Sequence, residues 1–356
     1  MKMESKKQDK IFEIIENSFE NEISEISAKR ISAAVISGGE MICCAREKLP
    51  DTPSWFSSAS SFLLYSLTKT LISICILKLF NAGRLSLDDN LGKWFPKLNN
   101  SCGISLFNCL RHTGGLPDYG GLGEYHNAVK AGCKPWTFDE FLRRTVKNEL
   151  LFKPGDNFAY SNIGYMLLKR ILEIEYGTSF SDIITREIFN PLSLKSACVI
   201  ESKNELLNVI LGSSSYLRAE GTPGNVYEKY DPGWVSHGVA AADAYETALI
   251  YNGLFNGKIL HRDTVNAMTV SFPVAGVTGR PFSNPGYGLG LMIDDSYRGK
   301  ICGHTGGGPG SSAACYTLLD DSEPLTIAVF TDGEDSVQAE RIIYKIFEDV
   351  FPGCVS

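Results

Sequence analysis

From Phe62 to Phe80 the chain runs almost unbroken through apolar residues, and no other stretch constrains the fold as much. Its length is about that of a membrane span, near 20 residues. Lys69 and Lys78 fall inside it, however, and an ammonium in hydrocarbon is costly. Leu71, Ile72, Ile74, Ile76, Leu77 and Leu79 therefore read as the packing surface of a helix buried through a large soluble domain. At its head stands Ser66-Leu67-Thr68-Lys69. On a helix, residues three apart share a face, so the Lys69 amine can take the proton of the Ser66 hydroxyl and make it a nucleophile. Ser-x-x-Lys occurs once in this chain, about as often as chance allows, so other residues must decide its meaning.

With 356 residues and 44% hydrophobic content, the chain can form one large or two ordinary domains around a substantial core. A formal net charge of -7, with no dense Lys/Arg stripe, argues against a nucleic-acid partner held through phosphates. Small neutral or mixed-charge molecules are the expected ligands. Met1 to Arg30 alternates charge with Ile11, Phe12, Ile14, Ile15, Phe19 and Ile23, an amphipathic helix pattern without the apolar core of a secretion signal. The ten cysteines form no Cys-x-x-Cys, so neither a zinc site nor a dithiol redox motif is expected. The expectation is a cytoplasmic protein with reduced thiols, no membrane span, no metal and no cofactor.

Two β-prone runs, Ile31 to Ser37 and Met41 to Ala45, flank Gly38-Gly39 and predict a hairpin. The core helix is expected to stop near Gly83, and the pattern then stays mostly helical to about residue 270. Strands return at Gly288–Ile293, Cys315–Leu319 and Leu325–Phe330, followed by an amphipathic helix over Gln338–Phe347. Strands at both ends with helices between them predict an α+β fold. Residues 1–65 and 285–356 would form an antiparallel sheet flanked by the terminal helices. Residues 66–284 would form an inserted, mainly helical domain, with the active site in the cleft between the two.

Two further motifs bear on Ser66. Tyr160-Ser161-Asn162 precedes a helical run: a phenol of depressed pKa beside an ammonium can relay protons, and an amide can orient a carbonyl or the lysine. Ser161 or Asn162 would also cap that helix. The other motif is His304-Thr305-Gly306-Gly307, which the chain duplicates at His112-Thr113-Gly114-Gly115. The earlier copy leads into Leu116-Pro117-Asp118, a turn with no adjoining strand. The later copy follows Lys300-Ile301-Cys302 and precedes a β run, so it can line a cleft. There glycine allows close approach to the backbone, and the amides of Gly307 and Ser66 could form an oxyanion hole.

Ser-x-x-Lys, Tyr-x-Asn and His-Thr-Gly in this order resemble the catalytic set of the serine β-lactamase and penicillin-binding protein superfamily. The resemblance is to the branch holding class C β-lactamases, DD-carboxypeptidases, D-aminopeptidases and related esterases. It extends from about residue 31 to near the end, and includes the stretch Leu77–Asp89, His112–Pro117, Lys153–Gly155 and Asn190–Leu192. It implies that Ser66 is acylated, that Lys69 and Tyr160 handle its proton and that of the leaving group, and that Asn162 positions substrate. His304 would stand where many β-lactamases carry lysine, facing the substrate carboxylate or the tyrosine, and His112 would belong to a structural loop. Ser66 and Gly307 would supply the oxyanion-hole amides.

A buried lysine can lose its proton near neutral pH, so this set works without a Ser-His-Asp triad, and no Gly-x-Ser-x-Gly elbow is present. Histidine at 304 removes the fixed charge that would hold a β-lactam carboxylate, although Arg280, Arg298 and Lys300 could supply one. The resemblance thus implies an acyl-enzyme hydrolase of a small ester or D-amino-acid peptide, with a class C-type β-lactamase as alternative. A reading from another class is a non-catalytic penicillin-recognising or peptide-binding module. Tyr119, Tyr125, Tyr216, Tyr227, Tyr230 and Trp234, from loops around 120–136 and 213–234, are candidates to wall the cleft or to pack inside.

Overall fold

The structure is a computed structural model that describes residues 2–20, 28–48, 56–146, 149–219, 222–296, 299–319, 324–335 and 337–351. Helix α1 (Lys2–Glu20) is followed by the hairpin β1 (Arg30–Ser37) and β2 (Glu40–Glu47), turning at Gly38-Gly39 as expected. The middle of the chain carries α2 (Thr68–Asn81), α3 (Leu106–Arg111), α4 (Asn162–Tyr176) and α5 (Ala244–Phe255). Then come β3 (Phe272–Pro273), β4 (Pro285–Tyr287), β5 (Met292–Ser296), β6 (Gly299–Gly308), β7 (Ser311–Leu319), β8 (Leu325–Thr331) and α6 (Gln338–Val350). The eight strands make one antiparallel sheet in the order β2-β1-β8-β7-β6-β5-β4-β3. The two ends of the chain meet in its middle, with Ile31 opposite Thr331 and Ala34 opposite Ala328.

Side chains on successive strand residues point to opposite faces, and here both faces are covered. Ile31, Ala33 and Val35, with Ile327 and Val329, pack against Ile11, Ile14 and Ile15 of α1 and Ile342, Ile343, Ile346 and Phe347 of α6. Ala34, Ile36, Ala328 and Phe330 face the other way, into the core that contains Ala244 and Ala248 of α5 and the apolar residues of α2. The small residues on this face let α5 lie close to the sheet. Each fully buried Ile or Leu contributes about 1.5–3 kcal/mol, which makes this layered core the main source of stability.

The apolar run from Phe62 divides into three pieces. Phe62–Leu63 pairs with Ala241 and Ala242, Tyr65–Leu67 forms a single 3-10 turn, and α2 begins at Thr68. Helix α2 is buried on every side, with Leu71, Ile72, Ile74, Cys75, Ile76, Leu77 and Leu79 all at 1% exposure or less. It closes as expected at Gly83, whose amide donates to the Phe80 carbonyl while that of Arg84 donates to Leu79. Among the described residues, no helix is long and apolar enough to cross a membrane.

Two expectations need correction. The strand expected over Gly288–Ile293 begins only at Met292, because Gly288 to Leu291 form a corner closed by the Gly288 amide donating to Leu291. Gly290, at φ +79, is pressed so closely against α2 that a Cβ there would lie 2.0 Å from Ser73 Oγ. The region 66–284 is also less uniformly helical than expected. Val239–Ala242 pairs with Cys198–Ile200 and Phe62–Leu63, Ser213–Ala219 forms a hairpin with Thr222–Asn225, and α5 and β3 belong to the large sheet's layers. We propose that the division between the two regions falls before Ala244 rather than at 285.

Candidate active site

Ser66 sits in the tight turn leading into α2. The residue before it, Tyr65, has φ +44, a conformation costing a bulky side chain on the order of 1–3 kcal/mol. That turn is held from outside: the Tyr65 hydroxyl donates to the Pro309 carbonyl at 2.8 Å. One turn further on, Lys69 is fully buried, and its Nζ lies 3.0 Å from Ser66 Oγ, 2.7 Å from Asn162 Oδ1 and 3.2 Å from His237 Nε2. Burial pushes the Lys69 amine down to about 7, against the opposing pull of the Asp118 carboxylate. His237 is likewise held neutral, first by burial and then by the lysine charge.

Asn162 is the first residue of α4, capped by the Ser161 hydroxyl, which accepts from the Gly164 amide. Asp118 receives both the Asn162 backbone amide at 2.7 Å and its side-chain Nδ2 at 3.1 Å. The amide is thereby oriented with Oδ1 toward Lys69.

Tyr160 packs over the lysine, with Nζ 4.9 Å from its ring centre. Burial raises its pKa above the ordinary phenol range, and the nearby Ser66 hydroxyl offsets this only in part. The expected depressed phenol is therefore corrected: burial keeps the Tyr160 phenol protonated at pH 7, while the Lys69 amine is brought near neutrality. His112, the earlier His-Thr-Gly copy, ends α3 at φ +59 and packs against Tyr160, the rings tilted by 35° with centroids 4.3 Å apart. Its Nδ1 accepts from the Ser161 amide and its carbonyl from Ala159, so this copy is a brace for the tyrosine loop.

Strand β6 passes directly against the serine turn. A Cβ on Gly306 would lie 2.1 Å from the Leu64 carbonyl oxygen and 2.8 Å from the Ser66 nitrogen, and one on Gly308 would enter the Tyr65 ring. A cleft of about 370 Å³ opens beside this contact, lined by Ser66, Tyr160, Arg280, Tyr287, Thr305 and Gly307 among others.

His304 lies on the tyrosine side of the two expected settings, its ring 6.3 Å from that of Tyr160. It is fully buried, its Nε2 lies 2.9 Å from the Tyr287 hydroxyl, its Nδ1 lies 2.6 Å from the Thr305 carbonyl, and it is absent from the cleft lining. The carbonyl requires Nδ1–H, which leaves Nε2 to accept from Tyr287. Burial, reinforced by the Lys69 charge, takes its pKa down to about 3. Arg280 does line the cleft, its guanidinium bonding Thr305 Oγ1 at 2.8 Å and pairing with Glu340. Of the other basic residues considered, Lys300 bonds the Thr269 carbonyl and pairs with Asp295, and Arg298 lies outside the described residues.

Asp118, His237 and the placement of Arg280 were not visible as site features in the sequence. Asp118 follows the His112 motif closely enough to have been a hint. His237 stands alone in a loop with no neighbouring motif. Among the aromatic candidates, Tyr119, Tyr230 and Trp234 are buried, whereas Tyr216 is 54% exposed.

Comparison with known proteins shows the family and the fold. The family model for Beta-lactamase matches residues 27–350. The chain belongs to the beta-lactamase family. Penicillin-binding protein 4* of Bacillus subtilis is 25% identical over 305 residues, covering 83% of this chain and 65% of its own length. Protein flp of Staphylococcus aureus (strain MRSA252) is 27% identical over 161 residues, 44% of this chain and 31% of its own. The chain thus spans less than two thirds of the length of these curated relatives. In fold it is similar to the D-amino acid amidase of Ochrobactrum anthropi SV3 in complex with L-phenylalanine amide. The TM-score is 0.77 at 20% identity, over 98% of this chain and 100% of that one. A penicillin-binding protein homologue from Pyrococcus abyssi gives a TM-score of 0.75 at 23% identity, over 96% and 77%.

Proposed function

We propose that this family member hydrolyses an amide or ester through an acyl-enzyme on Ser66, and that its substrate is a D-amino-acid amide or a short peptide ending in a free carboxylate. The observation that carries the reading is the buried Lys69 amine, held near neutrality 3.0 Å from Ser66 Oγ. As Oγ attacks the carbonyl carbon, its proton passes to the free amine of Lys69. Charge then develops on the carbonyl oxygen opposite the amides of Ser66 and Gly307. Collapse breaks the bond to the leaving group, which takes a proton from the Lys69 ammonium directly or through the Tyr160 hydroxyl. Water then attacks the acyl carbon and gives its proton to Lys69, and collapse frees the acid as the departing Ser66 Oγ takes that proton back. The D-amino acid amidase among the structural neighbours and the penicillin-binding relative favour a D-configured acyl group over a simple ester.

The amine must be unprotonated to accept the Ser66 proton. Because the pKa is lowered to about 7, kcat/KM for acylation is expected to rise with pH and level off above about 7. Asp118 acts to raise that pKa, so Asp118→Asn should shift the rising limb to lower pH while weakening the orientation of Asn162. A pH–rate profile of both proteins checks this; a limb that stays put or moves upward contradicts it.

Arg280, beside Thr305, supports the carboxylate. Arg280→Gln is expected to lower the ratio of kcat/KM for a peptide ending in D-alanine to that for its C-terminal amide by about tenfold, the value of a charge-assisted hydrogen bond. An unchanged ratio would remove the carboxylate from the proposed substrate.

A further inference from the structure

Strand β6 has a cavity at each side of its glycine run. Gly307 lines both. The cleft at the Thr305 end holds Ser66 and Arg280, and the second cavity, about 610 Å³, opens where the strand continues through Gly308 and Pro309. A substrate laid along β6 with its scissile carbonyl at Gly307 and its carboxylate toward Arg280 therefore sends its acyl half into the second cavity. At about 3.3 Å per extended residue, the group preceding the acyl residue falls within it.

The lining of that cavity is specific. Tyr125, His126, Tyr216 and Tyr230 face it, with the His126 and Tyr216 rings stacked 6.4 Å apart at 17°. Glu334 also lines it. One of its oxygens, Oε2, accepts from the amide and hydroxyl of Ser215 at 2.8 and 2.5 Å. The other, Oε1, is buried and receives no hydrogen bond from any described residue. No described Lys, Arg or His forms an ion pair within 4.0 Å of that carboxylate; Lys130, which also lines the cavity, is exposed and forms no described ion pair. A buried carboxylate oxygen lacking a donor is costly, and aromatic faces attract cations.

We propose that this cavity recognises an ammonium group on the acyl half of the substrate, which donates to Glu334 Oε1 and lies against Tyr216 and its aromatic neighbours. The inference rests on the acyl-enzyme reading of Ser66 for its orientation, and it narrows the substrate to a peptide with a free amine near the cleaved bond. The enzyme would then bind a compact zwitterion, its ammonium in one cavity and its carboxylate at Arg280 in the other.

The test compares lysyl-D-alanyl-D-alanine with its diacetylated form in two arms, equilibrium binding to Ser66→Ala protein and turnover by the unaltered enzyme. The free-amine peptide is expected to bind at least about tenfold more tightly, as a charge-assisted bond together with a cation–aromatic contact implies. In Ser66→Ala protein that also carries Glu334→Gln, or Tyr216→Leu at its exposed position, this preference should fall several-fold. Preference in the binding arm without turnover upholds the ammonium site and sinks the acyl-enzyme reading. Turnover with no preference for the free amine, or a preference that survives both substitutions, overturns the ammonium site and leaves the acyl-enzyme reading intact.

Discussion

Ser66→Ala is expected to abolish turnover and covalent labelling together, with a loss on the order of 10⁴-fold or more, as removal of an acylated nucleophile implies. The protein should stay folded. Ser66 Oγ has Lys69 as its short hydrogen-bond partner, and the lysine keeps Asn162 and His237 when the hydroxyl is gone. Intact-protein mass spectrometry after incubation with nitrophenyl esters, β-lactams and D-alanyl-D-alanine peptides reads the result directly, since the mass gained identifies the acyl group. Label that persists on the variant, at another residue, would sink Ser66 as nucleophile. Stoichiometric labelling of the unaltered protein by a β-lactam, with no turnover of any ester or peptide, would favour a penicillin-recognising module instead.

Gly306→Ala should be nearly as damaging although the residue has no side chain to lose. The added Cβ would stand 2.1 Å from the Leu64 carbonyl oxygen and 2.8 Å from the Ser66 nitrogen. Neither is the end of a flexible side chain, so β6 and the serine turn must separate. Displacement of a reacting group by about 1 Å costs about 10² in rate, and loss of one oxyanion donor about 10² to 10³. The expected outcome is a fall of kcat by at least about 10², with a destabilisation of about 1–3 kcal/mol from the overlap. Gly123→Ala is the control, because its Cβ would meet nothing within 4 Å. Thermal melting and kcat measured on both variants check this. A fully active Gly306→Ala enzyme would mean that β6 does not set the position of the serine amide.

Much of the architecture was legible because its signals are local. The hairpin at Gly38-Gly39 and the strand Leu325–Thr331 follow from short β-prone runs, and the amphipathic closing helix from a period of 3.6 residues. The corner at Gly288–Leu291 falls inside the expected strand, because its glycines also fit a β run and only the packing of Gly290, at φ +79, against α2 marks it as a bend. Likewise α5 reads as one more helix of the middle region, and only its small face toward the sheet assigns it to the other layer.

The candidate site divides in the same way. Ser66, Lys69, Tyr160, Asn162 and Gly307 were nameable from motif and order, because a nucleophile, its base and a close backbone approach demand particular residue types at particular spacings. In the structure Ser66, Tyr160 and Gly307 line one cleft, and Lys69, bonded to Ser66 and Asn162, lies buried behind it. The structure also corrects one expectation, Tyr160 being a more weakly acidic phenol, and it bonds His304 to Tyr287 with the Tyr160 ring 6.3 Å away. Both depend on burial and on residues more than a dozen positions away, which no local pattern carries. What the sequence by itself determined is the chemistry available, a serine and a lysine one helical turn apart at the head of a buried helix. What only the tertiary structure decided is the state of that chemistry. The desolvation that brings Lys69 to about 7, the Asp118 clamp on Asn162 and the Arg280 charge beside Thr305 arise from chain segments that meet only when the sheet closes over α2.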